Sequence, residues 1–229
     1  MYLAIIPARS GSKRVKNKNI KLFFGYPIIK YPIYQAKLTK LFKEIIVSTD
    51  SLIIKKIVLK YGVSVPFLRS KSLSGDFTPL YKVLLNTLSI IRKKKLLPKY
   101  FCLIYATAFS INKNDIIKSL KILKKKRKSD AICSVCKYNY PVQRALKLNK
   151  RNFLEYINPK YSLKRSQDLE TAYYDSANFV WFNTKSFLKK KGRNLKILPF
   201  VISGDKTQDI DNLKDWRIAK KKYLSNLNL

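Results

Sequence analysis

Residues 1–19 read MYLAIIPARSGSKRVKNKN, and the change of character inside this stretch decides the fold. An apolar run over 2–7 ends at Pro7 and passes at once into small and basic residues. So short a run, closed by turn-forming residues, reads as a buried strand, because a helix would need ten residues or more. The loop behind it carries Arg9, Ser10, Gly11, Ser12 and Lys13, with Lys18 and Asn19 close by. A phosphate group needs this combination of closely approaching backbone N–H groups, hydroxyl donors and fixed positive charge. Gly11 removes a side chain where the backbone would meet a ligand. Arg9 can fork onto phosphate oxygens, while Lys13 and Lys18 act as point charges. The loop matches neither GxxxxGK[ST] nor GxGxxG.

Outward from this loop, short β-branched runs alternate with segments of helical period. Strands are expected over 44–48, 63–67, 101–105, 131–136, 179–182 and 196–201, besides 2–7. Helices are expected over 28–39, 51–61, 79–94, 114–126 and 213–224. Strands separated by helices of this length imply βαβ units, hence one α/β domain over 1–229 with a Rossmann-like, mainly parallel sheet flanked by helices. Ligands of such sheets bind at the carboxyl ends of the strands, so the loops after the first, second and fourth strands matter most. The interval 138–174 breaks the rhythm. It is rich in Asn, Tyr, Lys and Arg, has a strand-like piece at 143–148, and reads as an inserted arm for dimerisation or substrate contact.

Composition removes several classes of function. The 229 residues include no histidine, which excludes Ser-His-Asp hydrolysis, Cys-His proteolysis and His-ligated zinc. No apolar run approaches the roughly 18 residues of a membrane span, and the apolar N-terminus is too short for a signal peptide, so a soluble cytoplasmic protein is expected. Cys133 and Cys136 have CxxC spacing without a second pair. On a strand, positions three apart face opposite sides, so with Cys102 they are read as ordinary core residues. The 49 basic residues against 13 acidic ones give a net charge of +36. That balance admits a nucleic-acid-binding protein. The basic runs 92–95, 124–128, 189–191 and 220–222 nevertheless fall mostly at the ends of expected helices, where the dipole favours cations. The abundance of Ile, Asn, Lys and Tyr also fits AT-rich coding.

The scarcity of acidic residues makes TQDID, 207–211, conspicuous. Asp209 and Asp211 stand at i and i+2, where an extended backbone points both the same way. Paired carboxylates beside a phosphate loop suit Mg²⁺, which takes one or two carboxylates plus substrate phosphates. The alternative is that Asp211 caps the helix starting near 213.

The loop IIPARSGSKRVKNKN, together with IIVSTD (45–50), VPFLR (65–69) and the acidic segment DID–DW (209–216), resembles the CMP-sugar-acid synthetases, the acylneuraminate cytidylyltransferase family. The resemblance runs from residue 2 to about 220. RSQDL (165–169) with AYYD (172–175), and IYATA (104–108), are similar to the branch acting on pseudaminic acid. The sister nonulosonic acids N-acetylneuraminate and legionaminate, and Kdo, are the alternatives. Phe109 stands where the family pattern has Pro, and Ala177 in DSAN (175–178) where it has Gly, a change that would crowd the sugar pocket. The resemblance implies a nucleotide-diphospho-sugar transferase fold, a homodimer, and CTP as co-substrate with Mg²⁺ or Mn²⁺. It implies that Arg9, Gly11, Ser12, Lys13 and Lys18 hold the triphosphate and that Asn19 and Arg69 contact the nucleoside. Lys18, Arg9 and Asp211 would be catalytic, and Asp209 and Asp211 would hold the metal. Tyr105, Thr107, Arg165, Gln167 and Asp175 would bind the sugar, with Arg165 on its carboxylate.

Overall fold

A computed structural model describes residues 2–93 and 97–227; residues 94–96, which include the expected end of the third helix and part of the basic run 92–95, lie outside it. In chain order the strands are β1 (Tyr2–Pro7), β2 (Leu22–Phe23), β3 (Tyr26–Pro27), β4 (Phe42–Ser48), β5 (Tyr100–Ile104), β6 (Ala131–Lys137), β7 (Leu146–Leu148), β8 (Leu154–Tyr156), β9 (Tyr173–Asn183) and β10 (Ile197–Val201). The helices are α1 (Lys30–Leu38), α2 (Leu52–Leu59), α3 (Leu80–Lys93), α4 (Lys113–Lys125), α5 (Thr184–Lys189) and α6 (Leu213–Leu227).

Six strands form one sheet in the order β10-β6-β9-β5-β1-β4. All neighbours pair in parallel except β9, which runs antiparallel to both β5 and β6. The fold is thus Rossmann-like α/β with a mainly parallel sheet. The period of β1 sorts its side chains: Ala4 and Ile6 join the core under α1, α2 and α4, while Leu3 and Ile5 join the core under α3 and α5. Burial on both faces is why this strand reads as one unbroken apolar run. A third, smaller cluster gathers Val15, Phe23, Ile28, Phe109, Ile210, Trp216 and Ala219. Phe109 is accommodated there, its ring 5.3 Å from that of Phe23.

Three expectations need correction. Residues 63–67 form no strand and contribute only the isolated bridge Ile46↔Ser64, with Thr49↔Leu68 just beyond them, since Pro66 cannot donate to a ladder. The last sheet-centre strand is eleven residues long, not the four expected. The short helix α5, capped by Asn183 Oδ1 accepting from the Ser186 N–H at 3.1 Å, was not foreseen. Between β6 and β9 the chain leaves the sheet as a β7–β8 hairpin and three 3-10 turns. This excursion exposes apolar side chains, with Leu148 at 64%, Phe153 at 67% and Leu163 at 97%.

The β6–β9 ladder shifts register between Cys133 and Val135. Opposite this irregularity Ala177 adopts φ 53°, in the left-handed region. The bulge is fixed by a buried polar network. Ser176 Oγ reaches the Ser134 carbonyl at 2.9 Å and its hydroxyl at 2.8 Å, and Thr207 Oγ1 donates to the Ser176 carbonyl at 3.0 Å. The glycine of the family pattern therefore answers a backbone requirement at this point, and Ala177 carries a conformational cost there. Left-handed Ala costs about 1–2 kcal/mol, against about 0.5–1 kcal/mol of extra unfolded-state entropy for Gly. Ala177→Gly should accordingly raise stability by about 0.5–1 kcal/mol, read as a higher urea midpoint at unchanged slope.

Candidate active site

The loops following β1 and β5, the stretch 69–80 between α2 and the start of α3, and the segment following β10 surround a cleft of about 350 Å³ at the carboxyl edge of the sheet. Parallel pairing carries β1 into it beside β4: the Ala8 N–H donates to the Ser48 carbonyl at 2.9 Å. Beyond that point Asp50 takes over. Its carboxylate accepts the Ser10 N–H and the Ser10 hydroxyl, each at 2.8 Å. Asn19, 8% exposed, closes the loop by donating from Nδ2 to the Arg9 carbonyl at 2.9 Å. Asn17, at φ 55°, turns the chain so that Lys18 and Asn19 double back toward the cleft.

Arg9, Ser12, Lys13, Lys18, Asn19 and Arg69 all line this cleft, on the side from which the basic loop faces it. Arg9 Nη1 and Lys13 Nζ both meet the Asp76 carboxylate, at 2.6 and 2.8 Å. Arg69 is 7% exposed and donates to the Ser48 carbonyl at 2.5 Å and to that of Leu73 at 3.4 Å. Its Nε has no hydrogen-bond partner among the described residues. Burial lowers the Arg69 pKa, partly offset by the nearby Asp50. Gly11 is exposed and outside the cleft lining, and a Cβ there would meet nothing within 4 Å.

On the facing side Asp209 and Asp211 line the same cleft, with Ile210 between them fully buried in the third apolar cluster. The alternation expected of an extended segment is thus realised. Lys18 Nζ donates to the Ile210 carbonyl at 2.5 Å and stands 4.0 Å from Asp211 Oδ1, and Arg14 Nη2 meets the same oxygen at 3.0 Å. Asp211 does not cap α6 with its side chain. The carboxylate of Asp215 instead accepts the Asp211 and Asn212 N–H groups, each at 2.9 Å. Burial first, and then the charge of Asp211, raise the Asp209 pKa, with Lys18 opposing. Two carboxylates that resist sharing their charge, beside unfilled space flanked by cations, fit a divalent cation completed by substrate phosphates. Among the described residues no group of three or more His, Cys, Asp or Glu side chains offers a closed metal site.

Of the sugar candidates, Tyr105 and Thr107 line the cleft, and Tyr105 Oη donates to Asp175 Oδ2 at 3.3 Å. Burial, and then the Asp175 charge, push the Tyr105 hydroxyl well above its ordinary range. Cys133 adjoins Asp175, and burial with that charge raises its thiol to about 12. Arg165 and Gln167 lie elsewhere, on the arm. Arg165 is spent on Asp168, with Nε at 2.7 Å and Nη2 at 3.1 Å from its two oxygens. Sequence reasoning missed the parts played by Asp50, Asp76 and Arg14. Asp50 stood inside the IIVSTD segment already singled out, and its scarce negative charge opposite a basic loop was the available signal.

A strand-to-loop phosphate cradle facing a carboxylate pair, at the carboxyl edge of a Rossmann-like sheet, defines the class: a nucleotidyltransferase. The cytidylyltransferase family profile matches residues 3–186, and the chain belongs to that family. It is 36% identical over 228 residues, covering 98% of this chain and 97% of the relative, to a pseudaminic acid cytidylyltransferase of Campylobacter jejuni subsp. jejuni serotype O:2. It is 27% identical over 222 residues, covering 95% of this chain and 51% of the relative, to an N-acylneuraminate cytidylyltransferase of Escherichia coli O18:K1:H7. The fold is also that of a CMP:2-keto-3-deoxy-manno-octonic acid synthetase solved with CTP, at TM-score 0.71 and 14% identity, covering 100% of this chain and 99% of that one.

A carboxyl whose folded pKa is raised destabilises the folded state above that pKa, and the penalty vanishes below the unfolded value of 3.8, where both states are protonated. Asp209→Asn should therefore raise the melting temperature of the ligand-free protein at pH 7, with the gain shrinking as pH falls through the carboxylate range. Melting curves of both proteins at pH 7 and pH 4 check the sign.

Proposed function

We propose that this protein transfers CMP from CTP to pseudaminic acid and releases pyrophosphate. The observation that carries the reading is the linkage of the two halves of the cleft. Lys18, from the phosphate loop, donates to the Ile210 carbonyl between the two candidate metal-holding carboxylates. The 36% identity over nearly the full length of a pseudaminic acid cytidylyltransferase supports the choice of sugar.

In the reaction the anomeric hydroxyl oxygen of the sugar attacks the α-phosphorus of CTP. The bond from that phosphorus to the bridging oxygen breaks, the hydroxyl proton is lost, and pyrophosphate leaves with the electron pair. Such transfers depend on positioning and charge neutralisation, which a protein without histidine can supply. Arg9, Ser12 and Lys13 are assigned to the β- and γ-phosphates and Lys18 to the charge that develops as pyrophosphate departs. Arg69 and Asn19, already fixed by backbone carbonyls, border the nucleoside end. Asp209 and Asp211 are the groups that would hold Mg²⁺, with Mn²⁺ as the alternative ion, and such a cation neutralises phosphate charge. Tyr105, Thr107 and Asp175 form the sugar side. No helix among the described residues is long and apolar enough to cross a membrane, and since CTP is a cytoplasmic metabolite we assign the reaction to the cytoplasm.

Pyrophosphate release with CTP and Mg²⁺ should be greatest with pseudaminic acid among pseudaminic acid, legionaminate, N-acetylneuraminate and Kdo. Asp211→Ala and Lys18→Ala should each lower kcat by about 10²–10³-fold, the usual loss for removing one electrostatic stabiliser. Turnover of another sugar at a higher kcat/KM would move the substrate assignment, and no turnover of any sugar by protein that binds CTP would refute the reaction.

We also infer a homodimer joined through the arm 138–174, whose exposed Leu154 and Leu163 have no apolar cover within one chain. In such an assembly Arg165 and Gln167 could reach a sugar, since neither lies on the cleft of its own chain. Sedimentation equilibrium should give twice the chain mass, falling toward the single mass in Leu154→Asp. A monomeric wild type would remove both the dimer and the sugar role of Arg165.

A further inference from the structure

Asp76 bridges two cations of the phosphate loop, Arg9 and Lys13. One carboxylate oxygen takes Arg9 Nη1 at 2.6 Å and the other takes Lys13 Nζ at 2.8 Å. All three side chains line the cleft. An anion offering separate oxygens to a guanidinium and an ammonium presents what a phosphate group would present there. The hydrogen bonds from Lys13 and Arg9 hold the Asp76 carboxyl below its usual range, so it is charged whenever a nucleotide arrives.

The loop carrying Asp76 is held by its own hydrogen bonds, including that from the Thr78 N–H to the Gly75 carbonyl at 3.2 Å. Its base is bonded internally, by Ser70 and Ser72 hydroxyls 2.9 Å apart and by Ser74 Oγ donating to the Ser70 carbonyl at 2.9 Å. Arg69 reaches in to the Leu73 carbonyl. Beyond that base, Phe77, the neighbour of Asp76, is 99% exposed. No apolar contact of that ring therefore holds the Asp76 tip down, and its main ties to the cleft are the two ion pairs.

We propose that Asp76 is a specificity-determining positioning residue, an internal surrogate for phosphate that occupies Arg9 and Lys13 until a polyphosphate displaces it. The inference rests on the reading that these two cations receive the β- and γ-phosphates. A ligand reaching both cations must break the pairs, whereas a ligand with only an α-phosphate need not. CTP and pyrophosphate, which bring several negative charges, can meet that cost. The carboxylate then returns as pyrophosphate leaves, so the two cations never face each other without an anion between them.

The test is calorimetric titration of wild type and Asp76→Asn with CTP, pyrophosphate and CMP at low salt. Asp76→Asn should bind CTP and pyrophosphate about three- to tenfold more tightly, the scale of two partly exposed ion pairs. CMP affinity should not change, and the gain should shrink as salt rises. In turnover, KM for CTP should fall without a rise in kcat. Weaker CTP binding, no change with any ligand, or an equal gain for CMP would each overturn the proposal. Asp76→Ser, with thermal melting of both variants, guards against a folding defect. Arg9→Ala and Lys13→Ala keep the two ideas apart: if neither weakens CTP binding to the wild-type framework, the phosphate assignment itself has failed.

Discussion

Val15 and Ile210 are buried in one cluster with Phe23, Phe109 and Trp216, 195 residues apart in the chain by their own numbering. The rest of the cleft depends on this shared cluster. Val15 follows the basic loop directly, and Ile210 separates the two carboxylates, so burying both apolar side chains fixes how far the cations stand from the acids. Edge-to-face packing of Phe23 on Trp216, with ring centres 5.6 Å apart, makes the joint stiff as well as apolar. An electrostatic site is only as accurate as the covalent and packing frame that carries it. Here the frame is a hydrophobic one, insensitive to the salt and charge changes that accompany a triphosphate.

A second constraint acts at right angles to the first. Asp50, just past β4, receives two hydrogen bonds from Ser10, just past β1. The parallel pairing of these strands, from Leu3↔Glu44 through Pro7↔Ser48, brings the two loop origins together. The clamp then sets the direction in which Arg9, Ser12 and Lys13 leave the sheet. Parallel strand ends supply adjacent loops without any further design, and this topology explains why a chain lacking histidine can still assemble convergent polar groups.

Much of this was legible in the sequence, and for physical reasons. The unbroken apolar runs of β1 and β5 and the i, i+2 spacing of Asp209 and Asp211 are local signals with a single geometric meaning. What failed involved tertiary context. The run 63–67 has β-forming residues, yet Pro66 and its place outside the edge strand β4 leave it with one isolated bridge, at Ser64. The continuity of β9 was hidden because Ser176, Ala177 and Asn178 look like a turn. They form a bulge, held in line by Ser134 and Thr207 from distant parts of the chain. The gathering of Arg9, Ser12, Lys13, Lys18, Asp209 and Asp211 at one cleft was foreseeable because one loop and one short segment carry them. Asp50 left only its scarce charge in IIVSTD as a signal and Asp76 none, since its partners are set by loop packing, and Arg165 and Gln167 lie away from the cleft on the arm.

Some of the molecule's unfavourable features lie at the cleft or close to it. Arg69 is buried with one donor unpartnered among the described residues, Asp209 holds a carboxyl that burial and Asp211 drive toward protonation, and Ala177 occupies a left-handed backbone position. Left-handed residues and unpartnered buried groups occur elsewhere too, at Phe24, Lys40 and Thr184, but Arg69 and Asp209 set charge in a poorly solvated cleft that ligands can complete. The costs also share a remedy. On the proposed reading, a nucleotide would fill the space beside Arg69 while its phosphates displaced Asp76, and a divalent cation would let Asp209 and Asp211 both stay ionised. Only Ala177 gains nothing from either, which separates a cost of function from a departure that the backbone merely tolerates.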